Sequence, residues 1–306
     1  MYRLLLIVLL FHAPSCDASE ASNPRTVEAI EVVYVDSTRV TPAIGNVPEK
    51  NERRLRVRAW IPRGGSFAGP TPLLFMSHGW GGSIDLFDSF ANTLAMQGIS
   101  VAALEYPCTN RHFEGGHEAG LVDYAEQPID YLFVLDRLID SVSDPNHPLY
   151  GTFSTDHIVG LGHSLGGATL IRASRQACCA DGRLKATIFL SPATFVNEVL
   201  LDEPLILEEG PPTLIAHGAN DGVIGLEESE ALLTAINQPA HLVVLAGANH
   251  ESPIESESET VSPDQKVFES MVAAFITDYV RGSANTFAEE LERQLASGAI
   301  SIPGIN

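Results

Sequence analysis

One short segment, 162–166, reads Gly-His-Ser-Leu-Gly, which is the pattern G-x-S-x-G around Ser164. An apolar run at 158–161 precedes it, and a stretch with helical character begins at 168. A serine between a strand and a helix sits on a tight turn that lifts its hydroxyl above the sheet, and flanking glycines permit that turn. We therefore interpret Ser164 as a candidate nucleophile. The alternative is a glycine-rich turn that carries a serine by chance.

A serine nucleophile needs a base to accept its proton and a carboxylate to orient that base. His250 follows an apolar run at 243–246, and Asp221 lies shortly after another at 213–216. If both runs are strands, these side chains lie at the carboxyl edge of the sheet, where active sites of open α/β sheets gather. We predict His250 as the base and Asp221 as the acid, unless they are a solvated loop histidine and a turn residue. Three other carboxylates are alternative acids: Asp202, Glu203 and Glu227.

Acyl transfer also needs N–H donors for the oxyanion of the tetrahedral intermediate. One donor is expected from the residue after the serine, Leu165, and the other from the loop that follows an earlier strand. That loop reads Ser-His-Gly-Trp-Gly-Gly at 77–82, and we predict the N–H of Trp80 as the second donor. The indole of Trp80 could line the pocket for an apolar acyl or aromatic group, or it could pack in the core.

The remaining histidines near these segments are weaker candidates. His163 precedes the serine, but side chains alternate along a strand, so we expect its ring to point away from the pocket. His78 and His217 precede glycines at strand ends, which favours structural roles. His112 and His117 lie in a segment without clear periodicity.

The chain as a whole predicts an α/β fold with a mostly parallel sheet and helices on both faces, because apolar strands alternate with helical patterns. The first two strands lack an intervening helix, which favours antiparallel pairing at one edge. Little sequence separates the motifs, so we expect no large lid domain. The expected strands are 27–40, 55–61, 73–77, 99–104, 158–161, 186–190, 213–216 and 242–245, and the clearest helices are 85–97, 128–142, 226–236 and 267–280.

Five segments in this order resemble the α/β-hydrolases, and within them the secreted dienelactone-hydrolase-like group. That group includes carboxylesterases, enzymes similar to platelet-activating-factor acetylhydrolase, and cutinase-like polyester hydrolases. The segments are 72–83, 95–107, 160–168, 217–221 and 247–250. The resemblance implies an α/β-hydrolase fold and hydrolysis of carboxylic esters through an acyl-enzyme, without cofactor or metal. It assigns the same roles to Ser164, Asp221, His250, Trp80 and Leu165.

One position departs from the polyester-hydrolysing relatives. Those enzymes tend to carry a tryptophan shortly after the strand that follows the serine motif. Here residues 191–195 read Ser-Pro-Ala-Thr-Phe. Polyester activity is therefore less well supported than hydrolysis of smaller esters.

The composition and the N-terminal segment indicate which partners and which cellular compartment to expect for this chain. The 306 residues carry a formal net charge of −21, which disfavours nucleic-acid binding because phosphate contacts need clustered Lys and Arg. A basic start, an apolar run at 4–11 and a polar break predict a signal peptide at 1–18 and a secreted or periplasmic protein. Lipidation at Cys16 is the alternative, and no other stretch predicts a membrane span. The catalytic domain would cover 19–282, and 283–306 would be an extension with a short helix.

The mature chain would keep three cysteines, so one disulfide and one free thiol are expected in an oxidising compartment. Cys108 with Cys178 or Cys179 is the favoured pairing, and a bond between the adjacent pair is the alternative. No cysteine or histidine spacing predicts a zinc site.

These observations favour a secreted serine carboxylesterase that acts on short or medium acyl esters, lipid-like or polymeric. A chlorophyllase-like or phospholipid acetylhydrolase activity is an alternative within the same chemistry. A catalytically silent hydrolase fold that only binds ligands is an alternative of another class, although such proteins usually lose one of the three catalytic residues. A dehalogenase or epoxide hydrolase would require an aspartate in place of Ser164.

Overall fold

Nine strands form one sheet in the computed structural model, which describes residues 24–65, 70–116, 120–177, 179–194, 207–237, 239–255 and 261–304. The strand order is β1-β2-β4-β3-β5-β6-β7-β8-β9. The strands are β1 Thr26–Asp36, β2 Arg53–Arg63, β3 Thr71–Ser77, β4 Ser100–Glu105, β5 Phe153–His163, β6 Leu184–Leu190, β7 Thr213–Gly218, β8 Ala240–Leu245 and β9 Ile300–Ser301.

The sheet is parallel in its centre and antiparallel at its edges. Strands β3 to β8 pair in parallel with one another, whereas β1 pairs antiparallel with β2, β2 with β4, and β8 with β9. The predicted antiparallel pair at one edge is confirmed, although β1 ends at Asp36 rather than at residue 40. Because the central strands run the same way, the loops that follow them meet at one edge.

Helices cover both faces of this sheet, as predicted. They are α1 Asp88–Met96, α2 Gln127–Ser143, α3 Leu165–Arg175, α4 Leu226–Ala235, α5 Pro263–Tyr279 and α6 Thr286–Ser297. Alternate residues of β4 contribute to two separate apolar cores. Val101 packs on the side of Phe90 and Phe275, and Ala102 packs on the side of Tyr131 and Leu170. Helices α1, α5 and α6 therefore lie on one face, and α2, α3 and α4 on the other. The described connections contain no inserted domain.

The C-terminal segment is built into the sheet. Helix α6 packs on α5 and buries Phe287, and strand β9 then pairs antiparallel with β8. The sequence predicted the helix but not the strand. The residues that follow Gly282 thus close the edge of the sheet that β8 would otherwise expose.

A buried ion cluster links the β1–β2 hairpin to α2. Arg53 on β2 is fully buried and binds the carboxylates of Asp123 and Asp130, with N···O distances of 2.8 Å to each. Arg39 adds a contact of 2.8 Å to Asp130. All five N–H donors of Arg53 are used, because its remaining bonds go to the same two carboxylates and to the carbonyl of Val40.

The favoured cysteine pairing is wrong. Cys108 is a buried free thiol, whereas Cys179 is in a disulfide whose partner lies outside the described residues. The reason is topological. Cys108 follows β4 at the carboxyl edge of the sheet, and Cys179 follows the end of α3, which runs back towards the opposite edge.

In the described part of the chain, no helix combines the length and apolarity needed to cross a bilayer. The predicted signal peptide and the alternative lipidation site at Cys16 lie outside the described residues, as does Cys178.

Candidate active site at the carboxyl edge of the sheet

Ser164 lies between the end of β5 and the start of α3, on a sharply turned backbone. Its φ is 54° and its ψ is −121°, which is a sparsely populated conformation for a residue with a side chain. The neighbouring glycines make the turn possible. A Cβ at Gly162 would overlap the carbonyl oxygen of Gly166, and a Cβ at Gly166 would overlap that of Ser77. The strand and the helix therefore approach more closely than any other residue type would allow.

The loop after β3 closes over this serine. A Cβ built at Gly79 would lie 2.8 Å from Cβ and 3.3 Å from Oγ of Ser164, so the backbone of residue 79 touches the serine side chain. The buried ring of His78 fixes the loop, since its Nδ1–H donates to the carbonyl of Gly79 at 2.7 Å and its Nε2 accepts the N–H of Tyr106 at 3.1 Å. Burial lowers the pKa of His78, which agrees with a neutral ring.

The loops after β7 and β8 bring Asp221 and His250 together. Oδ2 of Asp221 lies 2.7 Å from Nδ1 of His250. Oδ1 accepts the backbone N–H groups of Val223 and Ile224, both at 2.9 Å. Because Oδ2 is an acceptor, Nδ1 of His250 carries the hydrogen and Nε2 presents a lone pair.

Asp221 is held in its charged form. Burial would raise its pKa, but hydrogen bonds from the N–H of Ile224, from His250 and from the N–H of Val223 outweigh burial and set the pKa at about 2. An ionised carboxylate beside the imidazole would stabilise a positive charge on His250.

The side chains of Ser164 and His250 are near the same loops but are not hydrogen-bonded to each other. The hydrogen bonds of the described residues include the link from Asp221 to His250, and none joins the serine hydroxyl to the imidazole. Catalytic hydrogen bonds are often long in ligand-free structures and tighten when substrate binds.

A second histidine, which the sequence did not assign to the site, contacts His250. His163 is buried, with 4% of its surface exposed, and its Nε2 lies 2.9 Å from the carbonyl oxygen of His250. The two ring centroids are 4.6 Å apart. The sequence did not predict this contact with His250. The alternation itself holds, because His163 shares a strand face with Leu161, but the loop that carries His250 packs on that same face with Ala248 and Ile254.

The other candidate residues lie as follows. His217 is buried and bonded through both ring nitrogens, to Ser229 Oγ at 2.8 Å and to the carbonyl of Ile224 at 3.0 Å. His112 is exposed and pairs with Asp85 at 3.0 Å. Glu227 is an exposed residue of α4. Three candidates lie outside the described residues: His117, Asp202 and Glu203.

Of the two predicted oxyanion donors, Leu165 directly follows the serine in the chain, and Trp80 directly follows Gly79, whose backbone approaches the serine side chain. Leu165 is the first residue of α3, so its N–H is one of the helix's first groups without an intrahelical acceptor. Trp80 is 47% exposed. Trp80 lines a cleft of about 240 Å³ together with Cys108, Thr109, Asn110 and Arg111. These residues follow β3 and β4, so the cleft opens on the edge where Ser164 lies.

One group in the described part of the chain has the donor atoms of a metal site, formed by Asp85, Glu105 and His112. Two guanidinium groups already pair with its carboxylates. Arg58 lies 2.9 Å from Asp85, and Arg56 lies 3.2 Å from Glu105. A cation would therefore compete with two resident positive charges.

Comparison with known proteins shows the fold. No family model matches the chain, and no curated protein matches it. Among solved structures, the chain is similar to a ferulic acid esterase from Streptomyces cinnamoneus, with a TM-score of 0.61 and 21% sequence identity. The alignment covers 87% of this chain and 93% of that chain. The predicted α/β-hydrolase fold is confirmed.

Proposed function

We propose that this chain is a serine esterase that hydrolyses carboxylic esters through an acyl-enzyme. One observation carries the proposal, namely the 2.7 Å contact of Asp221 with His250 at the sheet edge where Ser164 occupies a strained turn. Three residues distant in sequence supply a nucleophile, a base and an orienting acid. The similarity of the fold to that of an esterase supports the proposal.

In the proposed reaction, Nε2 of His250 takes the proton of the Ser164 hydroxyl as the serine oxygen attacks the ester carbonyl. Collapse of the tetrahedral intermediate breaks the bond to the alcohol, which leaves with the proton from His250. Water then attacks the acyl-enzyme with His250 again as base, and the acid product and free serine form. Asp221, with a pKa of about 2, stays charged throughout and keeps the imidazole in the required tautomer.

The oxyanion would be held by two backbone N–H groups, those of Leu165 and Trp80. Leu165 begins a helix, whose dipole also favours negative charge at this end. Trp80 belongs to the loop that Gly79 brings against the serine side chain. Removal of a single oxyanion donor costs on the order of 10²- to 10³-fold in turnover in other serine hydrolases.

We propose short or medium acyl esters, lipid-like or polymeric, as the substrate class. Exposed apolar side chains lie on loops that follow β3, β4 and β7, at the edge that carries Ser164. They are Trp80, Leu121, Val122 and Val223. Such side chains favour binding of an apolar acyl group, because the contact removes apolar surface from water. Hydrolysis of a ferulate ester should be measured as well, since the structural neighbour is a ferulic acid esterase.

We further propose that the enzyme is exported after removal of residues 1–18. The disulfide at Cys179 supports this, because disulfides persist mainly in oxidising compartments. Mass spectrometry of the native secreted protein tests the proposal. An N-terminus near residue 19 in the culture medium or periplasm is expected, and an uncleaved intracellular chain would contradict it.

The activity is tested with purified mature protein on p-nitrophenyl acetate, butyrate and octanoate, on methyl ferulate and on a polyester film. We expect hydrolysis of at least the short p-nitrophenyl esters, and a fall in turnover on the order of 10⁴- to 10⁶-fold in Ser164→Ala. Full turnover in Ser164→Ala would refute the mechanism. A folded wild-type protein without activity on any of these esters would favour a hydrolase fold that only binds ligands.

A further inference from the structure

His163 is a buried residue that the proposed mechanism does not use, although it adjoins both the nucleophile and the base. It is the last residue of β5, directly before Ser164. Its Nε2 lies 2.9 Å from the carbonyl oxygen of His250, and the two residues are 87 positions apart in the chain. A carbonyl oxygen only accepts hydrogen bonds, so Nε2 of His163 carries the hydrogen and donates it.

This bond completes the attachment of the loop that carries His250. On one side, Asn220 binds the loop, since its backbone N–H donates to the carbonyl of Ala248 at 2.8 Å and its amide donates to the carbonyl of Gly247 at 3.2 Å. These bonds tie the base to the loop of Asp221. On the other side, the bond from His163 ties the backbone of His250 itself to the strand that ends directly before Ser164.

We propose that His163 is a positioning residue, whose hydrogen bond to the backbone of His250 sets the distance between the base and the nucleophile. This inference rests on the proposed esterase function. The structure shows no side-chain hydrogen bond between Ser164 and His250, so the backbone link through His163 joins these two residues where their side chains do not. A displacement of about 1 Å between reacting groups can reduce turnover about 10²-fold.

The ring of His163 is also suited to a position beside a base that becomes charged. Burial, reinforced by the neighbouring His250, lowers the pKa of His163 to about 3, so the ring stays neutral. The titratable groups that face it are His250, Asp221 and His78. A neutral ring 4.6 Å from His250 does not oppose the positive charge that His250 acquires during turnover.

Two substitutions distinguish the effect of losing the hydrogen bond from the effect of changing side-chain packing. His163→Gln can place an amide N–H near the position of Nε2, whereas His163→Leu fills similar space without a donor. We expect His163→Leu to lower kcat about 10- to 100-fold with KM changed less than about threefold, and His163→Gln to stay within about fivefold of wild type. His241→Leu is the matched control, because it removes a histidine that binds Tyr279 at 2.8 Å and lies at the amino end of β8.

Turnover is normalised to folded protein, measured by circular dichroism and thermal melting. A merely structural role would lower Tm and the folded fraction while leaving kcat per folded molecule unchanged, and that result would overturn the inference. Equal losses of kcat in His163→Gln and His163→Leu would also overturn it, because the donor would then be irrelevant.

A measurement independent of turnover distinguishes this inference from the proposed function. The Nδ1 proton of His250, bonded to Asp221, should give a low-field proton NMR signal. We expect a sharp signal in wild type and in His163→Gln, and a broadened or absent signal in His163→Leu. An unchanged signal in His163→Leu would reject the positioning role even if the wild-type protein hydrolysed none of the esters tested.

Discussion

Two buried groups of charged side chains in this molecule use aspartates in different ways. In the ion cluster of Arg53, Asp123 and Asp130, all five N–H donors of the arginine are bonded within the cluster or to a backbone carbonyl. At the sheet edge, Asp221 binds Nδ1 of His250, and no hydrogen bond among the described residues reaches Nε2 of that histidine. A group whose hydrogen-bonding atoms are all occupied holds the fold together, whereas a group that keeps one basic atom available can move a proton.

Asp130 and Asp221 also differ in their pKa values. Burial raises the pKa of Asp130 to about 6, because that carboxyl is enclosed and shares Arg53 with a second carboxylate, Asp123. The pKa of Asp221 is about 2, since backbone N–H groups and His250 compensate for its burial. Both carboxylates accept hydrogen bonds, so the deeper burial of Asp130 raises its pKa, whereas at Asp221 the hydrogen bonds outweigh burial.

The largest expected effect is that of His250→Asn, which removes the base from the edge site. We expect turnover to fall on the order of 10⁴- to 10⁶-fold with little change in Tm, because the backbone carbonyl at 250 still accepts from His163 and the asparagine amide can still donate to Asp221. Ester hydrolysis and thermal melting measure the two quantities. His112→Asn, an exposed histidine in the loop after β4, is the control and should retain wild-type turnover. Equal losses in the two variants would show that His250 has no special role.

A somewhat smaller effect is expected for Asp221→Asn. The asparagine oxygen can still accept the N–H groups of Val223 and Ile224, so the loop should keep its shape. Its NH₂ group would face Nδ1 of His250 and force the imidazole into the wrong tautomer. Turnover should fall on the order of 10⁴-fold, as in other serine hydrolases. Turnover within tenfold of wild type would mean that another carboxylate orients the base.

For the ion cluster, we expect a substitution to reduce stability strongly and to leave turnover unchanged. Arg53→Met leaves Asp123 and Asp130 buried without their main cation, which should lower the free energy of unfolding by about 3 to 5 kcal/mol. Turnover per folded molecule should be unchanged. Urea denaturation measures the first quantity. Arg54→Met, an exposed neighbour on the same strand, is the control and should cost less than about 0.5 kcal/mol. Similar costs for the two variants would remove the contrast between the regions.

The smallest effect concerns pH. Asp221 has a lower pKa in the folded chain than in the unfolded chain, so it stabilises the fold above pH 4 and loses that contribution as the pH falls towards 2. The lost contribution is about 2 kcal/mol. Asp130 acts with the opposite sign, because its raised pKa makes the folded chain less stable as the pH rises from 4 through 6.

Urea denaturation between pH 3 and pH 7 checks both signs. The pH-dependent difference between wild type and Asp221→Asn should shrink below pH 4, and Asp130→Asn should flatten the curve between pH 4 and pH 6. The same slope in both variants would show that the two aspartates do not differ as described.

The sequence predicted most of the fold and the three separate motifs, since each depends on local patterns. The sequence alone shows the glycines around Ser164 and the apolar runs before Asp221 and His250. The order of strands in the sheet places their loops at one edge, which the α/β alternation already implied. Strand β9 was missed because two residues give no periodicity, and its pairing depends on where α6 ends.

Contacts between distant segments could not be predicted. The bonds from Arg53 to Asp123 and from His163 to His250 span 70 and 87 residues. The spacing of these residues in the sequence does not predict the two bonds, because the bonds depend on the paths of two loops. The alternation of side chains along β5 correctly gave the face of His163, but it could not show which loop covers that face.

The central claim is that Ser164 is a nucleophile activated by His250, and covalent labelling tests it most directly. Diethyl p-nitrophenyl phosphate reacts when a serine oxygen displaces p-nitrophenolate from phosphorus, which leaves a stable diethylphosphoryl group on the serine. Intact-mass and peptide analysis should find one such group per chain, on Ser164, with none in Ser164→Ala and slow labelling in His250→Asn. A label on another residue, or equal labelling of wild type and Ser164→Ala, would contradict the claim.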